Sequence, residues 1–79
     1  VISERQLHDS LARVFECDDL LQVEPHHRRA MYELDEAVAQ ALVTARRAAE
    51  VKEQVNRHLQ TLWARKHEAI FAAREAPGR

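Results

Sequence analysis

The chain has 79 residues and a mass of 9.2 kDa, room for one domain. Its 46% hydrophobic and 32% charged residues exclude a disordered tail, and one Gly with two Pro excludes turn-rich β and α/β folds and glycine-rich phosphate loops. The net charge of −1 conceals a division: residues 1–40 carry nine acids and four bases (−5), residues 41–79 four acids and eight bases (+4).

The first element opens on two start signals in register. Ser3 and Gln6 make a Ser-x-x-Gln capping box, and Ile2 and Leu7 have the spacing of a hydrophobic staple. Leu7, Leu11, Val14 and Phe15 then share a helical face, with Asp9 and Arg13 spaced as an i,i+4 ion pair. This predicts a helical segment over about 3–22. Asp18 falls within the apolar stripe, so the segment breaks near Cys17 with Asp18 or Asp19 starting a fresh turn, unless Asp18 pairs with an arginine. Pro25 suits a first helical position and pushes Glu24 out of helical geometry, which places the main turn at 23–25.

From His26 to Ala76 there is neither Gly nor Pro, and the expectation is one long helix over about 26–75 with a frayed tail at 76–79. A heptad seam runs through Met31, Leu34, Val38, Ala41, Ala45, Ala48, Val55, Leu59 and Leu62, interrupted by Lys52 and continued by Lys66, Ala69 and Ala73. Leu42, Ala49, Trp63 and Ile70 widen it towards the face of a bundle. Unbroken, such a helix is roughly 76 Å long, whereas a compact chain of this size has a radius of gyration near 12 Å. Either the rod pairs with a second copy, or it bends at Thr44 or Asn56 into a three-helix monomer. Neither residue is followed by the acid or amide of a capping box. The expected fold is therefore all-α: an antiparallel helical hairpin, with a short N-terminal helix and a long coiled-coil-like C-terminal helix, assembling as a homodimeric bundle.

Little in the chain carries chemistry. One cysteine excludes an intrachain disulfide and a Cys-based zinc cluster, and favours a reducing compartment. Cys17 lies beside Glu16, Asp18 and Asp19, which oppose thiolate formation, so a structural role is expected. Of the five histidines, His58 and His67 lie on opposite helix faces, and Glu24 with His27 is a chance-level Glu-x-x-His match. No catalytic residue, metal or cofactor is expected. No apolar run approaches a membrane span, and Glu4 and Arg5 stand where a signal peptide would turn apolar. A cytoplasmic setting follows as the expectation, and ten Arg against two Lys suggests a bacterial source.

The aromatic residues of the last third exceed what the seam requires. Trp63, Ile70 and Phe71, with Arg65, Lys66 and Arg74 around them, have the composition of a protein-docking surface. The competing reading is that helix one or a second copy covers them. The expected function is a non-enzymatic protein–protein interaction module: a regulator, adaptor or secretion-type chaperone. The alternative is a nucleic-acid-associated regulator using the basic C-terminal half. Against it, Arg46, Arg47 and Arg57 alternate with Glu50 and Glu53 in the pattern of an ion-paired, solvated face.

Overall fold

A computed structural model describes the backbone of residues 1–75 and the side chains of residues 1–72. Within them the chain forms three helices, α1 (Glu4–Glu16), α2 (Leu20–Ala39) and α3 (Ala45–Glu75), and no strand. No helix among the described residues is long and apolar enough to cross a membrane. The expected tail at 76–79 lies outside the described residues.

α1 starts as its capping box predicts, with the Gln6 amide donating to Ser3 Oγ at 3.1 Å. Ile2 and Leu7, the staple pair, are both buried. The Asp9–Arg13 pair is not among the ion pairs of the described residues. α1 ends at Cys17, and Asp19 caps α2 by accepting from the Leu21 amide at 2.9 Å. The break foreseen at Asp18 or Asp19 is therefore a complete helix boundary, and no second turn exists at 23–25.

Pro25 instead lies inside α2, contrary to expectation. Lacking an N–H, it deprives only the Leu21 carbonyl of a helical donor. Leu21, Gln22, Glu24 and Pro25 are all exposed, so water can replace that bond. Val23 and Ala30, by contrast, are fully buried on either side. Burial of Val23 and the packing of Leu20 against the core outweigh the local cost.

The long helix over 26–75 is also corrected: it is two helices joined by residues 40–44. α2 closes in a Schellman motif, with Leu42 N–H donating to the Ala37 carbonyl (2.8 Å) and Ala41 N–H to that of Val38 (3.0 Å). Ala41 occupies the left-handed position at φ 61°, where glycine is the usual residue. Thr44 then caps α3 by accepting from the Arg47 amide at 3.1 Å. Of the two foreseen bends, Thr44 is a helix start and Asn56 lies within α3.

Folding back lets α2 pack between α1 and α3. Leu34 and Ala37 of α2 join Ala48, Val51, Val55 and Leu62 of α3 and Leu7 and Val14 of α1 in one core. Each large apolar side chain buried contributes about 1.5–3 kcal/mol, so several together exceed the roughly 1–2 kcal/mol penalty of a left-handed alanine. The small residues Ala30, Ala37 and Ala48 are buried and allow close helix approach. The heptad seam is thus divided: Leu34, Ala48, Val55 and Leu62 are buried within one chain, Met31, Val38 and Leu59 partly so, and Ala41 and Ala45 are exposed at the turn.

A buried polar contact crosses the α1–α2 interface. Glu33 is 1% exposed, and the Ser10 hydroxyl donates to its carboxylate, lying 2.8 Å from Oε2. Arg29 Nε approaches the other oxygen at 3.6 Å. Glu33 stands next to Leu34 in sequence and gives no sign in the heptad pattern that it is core.

Candidate docking surface on α3

The third helix outruns its neighbours. With 31 residues it is about 46 Å long, against about 30 Å for the 20-residue α2. α2 runs back along it and begins at Leu20, which borders surface depressions with both Leu62 and Trp63. Past that level no other described element covers α3, and every side chain from Trp63 to Ala72 is exposed. The molecule is accordingly elongated, 58 × 20 × 14 Å, with a radius of gyration of 16.0 Å. It exposes 5997 Å², against roughly 4900 Å² for a compact protein of its mass.

Three residues singled out in the sequence are brought together on this projecting end. Trp63 is 58% exposed, Ile70 51% and Phe71 49%. His67, read from sequence only as a metal candidate, joins them. Its ring lies 4.9 Å from that of Trp63 and 4.7 Å from that of Phe71, forming an aromatic ladder at i, i+4 and i+8. The spacing is present in the sequence, although only the structure shows that none of the other described elements covers it.

An open apolar groove of about 490 Å³ continues the ladder towards the body of the protein. Leu20, Leu21, Val23, Glu24 and His27 of α2 form one wall, and Leu59, Gln60 and Trp63 of α3 the other. Leu21 is 73% exposed there, and His27 Nε2 is buried without a hydrogen-bond partner among the described residues. The sequence gives no sign of this groove, because its local signals place Leu20 and Leu21 at the end of the first helix, Val23 and Glu24 in a turn, and His27 on the same rod as Leu59, Gln60 and Trp63.

Arg65 and Lys66 are exposed. They flank a depression of about 410 Å³ shared with Asp18, Asp19, Leu20 and Leu62, so acids of the front half stand beside bases of the rear. The side chain of Arg74 lies outside the described residues. Farther back, Arg46 and Arg47 pair with Glu50, and Arg57 pairs with Glu53. Lys52, an interruption of the seam, reaches across to Asp35 of α2.

His58 has a structural task. Its Nε2 lies 3.0 Å from the Cys17 carbonyl, which can only accept, so Nε2 carries the proton. The same ring meets Phe15 edge-on, with centroids 5.7 Å apart. Together these contacts tie the end of α1 to α3. Cys17 is a partly buried free thiol whose Sγ lies 3.4 Å from the Asp19 carbonyl. Among the described residues no three His, Cys, Asp or Glu side chains converge on a shared metal position.

Comparisons with protein-family models, curated proteins and solved structures returned no match.

Proposed function

We propose that this protein is a non-enzymatic protein–protein interaction module, in the manner of a cytoplasmic regulator, adaptor or secretion-type chaperone, which docks through the projecting end of α3. The observation that carries this reading is the uncovered ladder Trp63–His67–Phe71 together with Ile70, three of them large apolar side chains about half exposed on one rigid helix. A small protein that leaves an apolar surface of this kind in water sacrifices solubility, and contiguous apolar patches mark contacts. Tryptophan and rigid aromatics also lose little conformational entropy on docking. Arg65 and Lys66 beside the ladder suit the polar rim of such an interface.

The nucleic-acid alternative has less support. Three of the bases it would use, Arg46, Arg47 and Arg57, are engaged by glutamates. Photocrosslinking decides between the two readings. A benzophenone side chain at position 71 is expected to form protein adducts in the source cells. Nucleic-acid adducts, with retention on filters falling steeply as salt rises, would replace the proposal by the alternative.

A further inference from the structure

We infer that the partner seated on this surface is a second copy of the chain, arranged antiparallel so that the projecting end of each α3 lies in the apolar groove of the other. The inference rests on the docking reading above and names its partner. Three features of the surface lead to it.

The first is continuity. The groove ends at Trp63, where the ladder begins, so donor and acceptor surfaces form one strip along α3. Trp63, His67 and Ile70 lie within about 60° of one another around the helix, at roughly 3.6 residues per turn. An antiparallel alignment that sets Phe71 of one copy opposite the second copy's Leu59 also sets Ile70 opposite Gln60 and Trp63 opposite His67. A two-fold axis near position 65 makes each of these contacts twice.

The second is charge. A two-fold contact brings like residues close around its axis, so a charged strip would repel itself. Leu59, Trp63, His67 and Ile70 include no Asp, Glu, Lys or Arg, and Asn56 and Gln60 beside them are neutral; position 74, an arginine, falls opposite Asn56 in this register and away from the axis, so it does not meet its own copy. The nearby bases Arg65 and Lys66 stand beside Asp18 and Asp19 of their own chain.

The third is area. Residues 63–75 of α3 form a rod about 20 Å long and about 11 Å wide, with roughly 350 Å² on half its flank. A lone peptide helix in the groove would cover only about that area. In the two-fold pair each copy contributes both rod and groove, roughly 550 Å² once the shared stretch 63–67 is counted a single time, near the ~600 Å² per partner at which specific interfaces begin. Only a second copy uses both halves at once.

Sedimentation equilibrium of the full chain, with Ile70→Glu as the disrupting variant, tests the arrangement. The parent chain should sediment at twice its 9.2 kDa mass at micromolar concentration, and I70E at the single-chain mass, with its melting temperature within a few degrees of the parent's when both are diluted to where the parent is monomeric. Two further chains, Leu21→Cys and Phe71→Cys, each with Cys17→Ser, fix the register. Mixed under a glutathione redox buffer, they should form the crossed disulfide in excess over either like-with-like product. A parent chain that remains at 9.2 kDa up to roughly 100 μM overturns the inference. So does a dimer that I70E leaves intact, or a dimer without the crossed disulfide. If the benzophenone at position 71 then captures a different protein, the docking reading stands and only the second copy is lost. If it captures no protein, the docking reading falls as well.

Discussion

Between Ala48 and Leu62, α3 turns one face onto α2 and α1, and Val55 there is wholly buried; between Trp63 and Ala72 the same helix has every side chain exposed. Apolar content does not account for the difference. The inner stretch buries Ala48, Val51, Val55 and Leu62, while the larger Trp63, Ile70 and Phe71 stand outside. What differs is reach. α2 begins at Leu20 and is too short to accompany α3 farther, so the core stops where the neighbouring helix stops. A face of a helix is core only where another element covers it.

The sharpest way to break this comparison is to remove a side chain from the covered side. Leu34→Ala should cost about 2–5 kcal/mol in urea unfolding, because Leu34 is 1% exposed between the helices. A loss below 1 kcal/mol would mean that the three helices are not packed as a unit.

A pair of matched substitutions sharpens the same boundary at the other end of α3. Ala48→Leu should destabilise by about 1–3 kcal/mol, since Ala48 is buried near Leu7 and Leu11 of α1 and Leu34 of α2. Ala45→Leu, three residues earlier on the exposed first turn of α3, should stay within about 0.5 kcal/mol. A continuous close-packed seam would make both costly, so the contrast in denaturation midpoints reports the fold-back directly.

A smaller effect, of opposite sign, tests the turn itself. Ala41→Gly should stabilise by about 1 kcal/mol, because glycine accepts the φ of 61° without the steric penalty that alanine carries. In a continuous helix the same change would destabilise by a similar amount. The sign of the shift in melting temperature therefore distinguishes the two structures.

The smallest stability effect is expected on the uncovered side. Phe71→Ala should change the unfolding free energy by less than about 0.5 kcal/mol, measured at concentrations where the chain is monomeric. It should weaken the docking of whatever covers the ladder. A large loss of stability in the isolated chain would show that Phe71 belongs to the fold.

The sequence alone determined the helical class, the start of α1 at Ser3 and the interruption at Asp18–Asp19, and its heptad repeat named Leu34, Ala48, Val55 and Leu62, which are buried, together with Ala41 and Ala45, which are exposed. All are local or periodic signals: a cap, a staple, a charge within an apolar stripe, a repeat of seven. The tertiary structure decided where the chain turns and which aromatic residues remain outside. Pro25 marked a turn by local rules, yet packing of Val23 and Leu20 carries the helix through it. Ala41–Thr44 had no glycine to mark it, yet the gain from burying Val51, Val55 and Leu62 against α2 exceeds the strain of one left-handed alanine. Local preferences at these positions amount to about 1–3 kcal/mol, and a shared core contributes more. Trp63, Ile70 and Phe71 owe their exposure to the same cause, since whether a helix face is covered depends on where a different helix begins.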